Sequence, residues 1–339
     1  MKKLVKKILI LVLVLLLVIV PSGSVFIYKT EHRGTLQDGL YLANEQYDVV
    51  MIGGSHMNGG LDPNVLWKQK GIVSYNFATG GQPIDVNYYL LKEVLKKQKN
   101  PLVVLDTYYL SMTSEYGETG FVSNVLDNLN LSRNKLDAIR HCVPPNEWIY
   151  YLFPVLKYHF RWSSLFQADF TYDSSSVYYT KGFQAGTNRY GKPISNWEKT
   201  EKRAEIPAKP LSYLNKIVEL CKANGCRLLL VNLPCDYSEP NEQDGWADDC
   251  EALFNSVADY AEEHGIPFLD LYDKAGEFNL DFASDMNNAG HLNIWGACKT
   301  SSYFADYLTQ NYSLTDHRSD SAYAQWDEDY KKSQAAAVL

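Results

Sequence analysis

Mainly apolar runs alternate with helical patterns over much of this chain, and they divide it. The first, Tyr47 to Ile52, ends in Val49-Val50-Met51-Ile52, the pattern of a strand covered on both faces in a parallel sheet. Ile72 to Phe77, Leu102 to Leu105, Arg227 to Asn232 and Ile266 to Leu271 predict four more strands. Between them lie helical patterns: a short helix opened by Asp62-Pro63 as N-cap and first turn, then Ile84 to Lys97, Pro210 to Ala223 and Trp246 to His264. Trp295 to Leu308 closes the series. The first three strands read as βαβαβ and the whole as an α/β fold. Residues 108–207 break the alternation and predict a long insertion, a lid or docking surface rather than a linker. Its aromatic residues, among them Trp148, Tyr150, Tyr151, Trp162, Tyr172, Tyr178, Tyr179 and Trp197, are read mainly as a subsidiary core, with stacking on sugar rings as the other use.

The amino terminus follows a different pattern. Lys2, Lys3, Lys6 and Lys7 precede an unbroken apolar run from Ile8 to Val20, and the apolar character resumes at Val25 to Tyr28. Counted to Tyr28 the segment is about 20 residues, roughly 30 Å as a helix, which is enough to cross a bilayer. The lysines orient it with the amino end in the cytoplasm and the rest outside. Residues 1–28 are therefore expected to be a transmembrane anchor. A cleaved signal peptide is the rival reading, disfavoured because no clean Ala-x-Ala site appears. Residues 29–46 read as a polar connector, 47–311 as the α/β domain, and 312–339 as a polar tail along the surface.

Chemistry is suggested by two remote stretches. Gly53-Gly54-Ser55-His56 follows the first strand, so Ser55 sits at a strand's carboxyl end, where open α/β sheets place their ligands. The two glycines allow a sharp turn that presents the serine hydroxyl and its N–H. An alcohol nucleophile needs a base, and the base needs a group to hold its ring. His291 supplies the candidate base, with Asn288 three residues and Asp285 six residues upstream. By itself a Gly-Gly-Ser turn is more often only a turn, and it is the distant histidine that makes it a candidate site. Composition narrows the partners: a net charge of −8 argues against a nucleic-acid surface. The six cysteines are scattered without a CxxC pair, which gives no zinc motif and leaves both a structural bridge and buried free thiols open.

Three short motifs carry a resemblance to the SGNH (GDSL-type) hydrolase superfamily, and more narrowly to its membrane-anchored branch. That branch includes the D-alanine transfer protein of teichoic-acid modification and the alginate O-acetylation proteins. Gly53-Gly54-Ser55-His56 is similar to the nucleophile block, Asn76-Phe77-Ala78-Thr79-Gly80-Gly81 to the second block, and His291-Leu292-Asn293 with Gly296-Ala297 to the last. The resemblance implies a three-layer, flavodoxin-like sandwich with Ser55 as nucleophile and His291 as base. The N–H groups of Ser55 and of Gly80 or Gly81 would form the oxyanion hole. The sequence departs from the family in two places: the third block reads Asp106-Thr107-Tyr108 without its asparagine, and the position of the acid is Asn288. Asp285 is the alternative acid. Asp106 and His56 are candidates for substrate binding, although His56 is read rather as a hydrogen-bonded neighbour that orders the turn. The implied function is extracytoplasmic acylation of a cell-envelope or exported polysaccharide or a teichoic-acid-like polymer, with the acyl group supplied by a multispanning membrane O-acyltransferase and with no cofactor or metal. A carbohydrate esterase and a non-catalytic membrane-tethered accessory protein are the alternatives.

Overall fold

The structure, a computed structural model, describes residues 2–194, 200–237 and 244–338. Trp197 therefore lies outside the described residues. Five parallel strands form the sheet: β1 (Val49–Ile52), β2 (Ser74–Asn76), β3 (Leu102–Asp106), β4 (Arg227–Asn232) and β5 (Phe268–Asp270), in the order β2-β1-β3-β4-β5. All five expected strands form. Several are shorter than their apolar runs because only the paired central residues join the ladder.

Alternation along the strands explains the layering. Val50, Ile52, Val103, Leu105 and Leu230 point into one apolar cluster, closed by residues of helices Ile84–Val94, Ala208–Ala223 and Cys250–Glu263. Val49, Met51, Leu102, Val104, Leu229 and Val231 point into the other, closed by Leu66 of helix Pro63–Lys70 and by Phe304 and Leu308 of helix Ile294–Asn311. Helices on both faces bury β1, β2 and β3 completely, and β1 carries no polar side chain on either face. The strand order reverses between β1 and β3, and their carboxyl ends open a crevice there.

The insertion adds short helices and turns, including Thr119–Leu126, Arg133–Cys142 and Trp148–Leu152, and no strand of the sheet. Tyr151 joins the main core, whereas Trp162 is 75% exposed, so the insertion's aromatics divide between the two environments. The tail differs from its expected surface course. Helix Gln325–Val338 brings Trp326 fully under cover, its ring 5.5 Å from Trp67, and Asp329 pairs with buried Lys181 at 2.6 Å. A polar stretch with one large apolar residue reads as surface until its partner is known. Cys142, Cys221, Cys226, Cys235 and Cys298 are free thiols.

At the amino end a single helix spans Lys2–Phe26. Among the described residues, which leave out the side chains at 12 and 16–22, no helix is long and apolar enough to cross a membrane.

Candidate active site

The serine turn is built by close packing. Gly53 and Gly54 are both buried, and neither takes a positive φ. The expected reason for the glycines was unusual backbone angles; the actual one is space. A side chain at Gly53 would overlap Asp106 and Met57, and one at Gly54 would overlap the ring of Tyr109. Ser55 is the first residue of the short helix Ser55–Gly60, with Gly54 at the N-cap. Its N–H therefore has no acceptor within the helix. Asn58, one turn on, donates to the carbonyls of Ala78 (3.1 Å) and Gly182 (2.7 Å). Asn76 donates to those of Met57 (2.8 Å) and Leu61 (3.0 Å). These two amides tie the helix to the end of β2.

Asp106, expected as a substrate contact, faces the wrong way for one. It is 1% exposed and accepts from the N–H groups of Tyr108 (3.1 Å) and Gly54 (3.4 Å), so it backs the turn from beneath. Burial raises its pKa to about 6, with the backbone donors opposing that rise. Gly80 and Gly81 stand in the turn after β2, Gly81 with φ +66° beneath Phe121. Among the described residues neither their N–H groups nor that of Ser55 finds a backbone acceptor.

The histidine arrives on an element that periodicity did not reveal. The stretch read as a loop is a small antiparallel hairpin, β6 (Met286–Asn288) and β7 (His291–Leu292), in which Asn288 pairs with His291. Asn293 fixes it to the following helix. Its Oδ1 accepts from the N–H groups of Trp295 and Gly296 at 3.0 Å each, and its Nδ2 donates to the carbonyls of Ser284 (2.8 Å) and Asn188 (3.0 Å). The end of the insertion braces the outer side, with Tyr190 N–H donating to Met286 O at 2.8 Å and Ile294 N–H to Gly186 O at 3.0 Å.

These two pieces meet. His291 Nε2 is 2.7 Å from Ser55 Oγ, and His291 Nδ1 is 2.9 Å from Asn288 Oδ1. The protons can be placed, because Asn288 Oδ1 also accepts the Gly290 N–H at 3.0 Å. Being an acceptor, it requires the proton on Nδ1, which leaves Nε2 bare to accept from the serine hydroxyl. Burial lowers the pKa of His291 from its ordinary 6.5, which also favours the neutral ring. Asp285 does not take part: it is buried, its Oδ2 bound to Lys299 Nζ at 2.6 Å and to the Asp281 N–H at 2.8 Å. That ion pair braces the base of the hairpin.

His56 differs from its expected part as a hydrogen-bonded neighbour. Its ring is 5% exposed, and among the described residues neither nitrogen has a partner. It is stacked between Tyr108 (3.7 Å between centroids) and His291 (4.9 Å). Burial, with His291 adding to it, holds its pKa well below 6.5, so a neutral ring pads the back of the His291 ring. Sequence reasoning missed Asn58 and Tyr109 and gave no part to Asn76, Tyr108 and Asn293, which stand in the motifs it quoted; Trp246 rests on Tyr108 and Tyr109 at 5.2 and 5.0 Å. Asn293 left a further signal, as a polar residue just before a helical pattern. Beside Tyr109 and Gly81 lies a cavity of about 110 Å³, also lined by Phe121 and Trp246.

Among solved structures the chain is similar to a lipase/acylhydrolase from Enterococcus faecalis, 12% identical over 80% of this chain and 99% of that one, with a TM-score of 0.40. It is also similar to a gut microbial diltiazem-metabolizing enzyme, 12% identical over 78% of this chain and 47% of that one, with a TM-score of 0.40. No protein-family model and no curated protein matches the chain. With overlap this low, the chemistry of the site rests on its own residues.

Proposed function

We propose that this chain is a serine-dependent, SGNH-type acyltransferase that works outside the cytoplasm, tethered by its amino-terminal helix, on hydroxyl groups of a cell-envelope or exported polysaccharide. The observation that carries the reading is the hydrogen-bonded series from Ser55 Oγ through the His291 ring to Asn288 Oδ1. As Oγ bonds to the acyl carbon, His291 Nε2 takes the hydroxyl proton; the donor's oxygen then leaves with that proton, and the acyl group stays on Ser55. In the second half an acceptor hydroxyl gives its proton to Nε2 and bonds to the acyl carbon, and Ser55 Oγ leaves with the proton returned from Nε2. The N–H groups of Ser55, Gly80 and Gly81, which lack a backbone acceptor among the described residues, are the candidate oxyanion donors, each worth around 3 kcal/mol once aligned.

Asn288 holds the ring and its tautomer but carries no charge to stabilise the imidazolium, so the turnover is slow by the standard of a carboxylate triad. The cavity of about 110 Å³ beside Tyr109 and Gly81 is the candidate pocket for a short acyl group. The acyl donor is a multispanning membrane O-acyltransferase, which hands its cargo across the bilayer.

The test supplies the full chain in vesicles with an activated acetyl ester, with and without an oligosaccharide acceptor. Acetylated oligosaccharide that disappears with Ser55→Ala is expected, with a rate loss of at least about a thousandfold. Free acetate alone, formed at equal rates with and without acceptor, leaves a plain carbohydrate esterase. Turnover equal to that of Ser55→Ala leaves a non-catalytic tethered protein.

A further inference from the structure

Beyond the amino-terminal helix, exposed apolar side chains of the described residues are concentrated in one part of the insertion. Phe160, Trp162, Phe166 and Phe170 are 58%, 75%, 65% and 66% exposed, and Ile149 and Leu156 beside them are 46% and 45% exposed. Scattered single apolar residues on a surface need no explanation, but four large aromatic rings within eleven positions do.

The same stretch grips the end of the amino-terminal helix. Gly23 packs against Pro154, where an added Cβ would stand 3.4 Å from the proline ring. Arg161 Nη1 donates to the Phe26 carbonyl at 2.6 Å, its guanidinium covers the Tyr28 ring at 4.2 Å, and Nη2 pairs with buried Asp169 at 2.8 Å. Lys29 Nζ closes the helix by donating to the carbonyls of Ser24 (2.5 Å) and Ile27 (2.8 Å). The helix end thus has a fixed position relative to the aromatic patch. Along the helix, Leu4, Ile8, Leu11 and Leu15 stand 48–62% exposed, with no protein layer over them.

We propose that residues 149–170 form a lipid-interface surface, which seats the domain on the bilayer where the amino-terminal helix leaves it. This rests on the tethered reading given above. Aromatic rings favour the headgroup region, where an apolar face and a polar rim are both satisfied. The one carboxylate of the stretch, Asp169, is tied to Arg161, so no free acid faces an anionic lipid surface. A bilayer also accounts for the adjoining bare helix, which a partner confined to the patch does not.

The test places the full chain in vesicles of phosphatidylglycerol and brominated phosphatidylcholine and reads tryptophan fluorescence. Bromine is expected to quench the native chain, and Trp162→Phe, which keeps an aromatic ring at an exposed position, to lose most of that quenching while the protein still floats with the vesicles. Equal quenching in both, with flotation intact, overturns the lipid surface and assigns the patch to a protein partner or a second copy. Loss of flotation overturns the tether itself, and the surface with it.

Discussion

Ser55 leaves a strand whose four residues are wholly buried, whereas His291 hangs on a two-strand hairpin whose Asn288 is exposed. Behind the serine, Asp106, Tyr109 and Met57 fill the space on which the glycines depend. Behind the histidine the support is made of single hydrogen bonds, from Asn293, Tyr190 and Gly186, and one ion pair, Asp285 with Lys299. Packing in a core is stiff and tolerates little change of volume. Hydrogen bonds near the surface are individually modest and can be exchanged. The position of Ser55 is therefore fixed, while the support of His291 is adjustable.

The sharpest way to break this contrast is on the packed side. Gly54→Ala drives a methyl into the Tyr109 ring, which Trp246 backs at 5.0 Å. Overpacking of this kind costs about 1–3 kcal/mol of stability, and an ångström's displacement of Ser55 costs on the order of a hundredfold in kcat. Urea denaturation and ester hydrolysis measure the two. An alanine variant with native kinetics would show that the turn is soft.

Next in size is the adjustable side. Asn288→Asp puts a carboxylate where Oδ1 already accepts the His291 and Gly290 N–H groups. Hydrolysis is expected to rise at least about tenfold, since a charged partner stabilises the imidazolium. The pH profile should move with it. In the native chain burial lowers the pKa of His291 below 6.5, so the basic form, and activity, persist as pH falls past that value. A carboxylate favours the protonated ring, so the acid limb of kcat/KM should shift to higher pH. A rate and profile unchanged by the substitution would remove Asn288 from the mechanism.

The smallest effect is expected at His56, between the two sides. His56→Phe keeps the stack between Tyr108 and His291 and removes two buried nitrogens that lack partners. Stability should rise by about 1 kcal/mol, with hydrolysis and transfer unchanged. A loss of transfer alone would show that a ring nitrogen meets the acceptor.

Sequence by itself determined what depends on local pattern. The mainly apolar runs placed five strands, because strands covered on both faces are rich in apolar residues, and the helices between them put Ser55 at a carboxyl edge. Only the tertiary structure decided the rest. Asn288 prevailed over Asp285 because the hairpin register points one side chain at the imidazole and gives the other to Lys299. Asp106 went beneath the turn and Trp326 into the core for the same kind of reason. Which of several polar or apolar groups meets a given partner depends on contacts between residues far apart in the chain, and no local spacing encodes them.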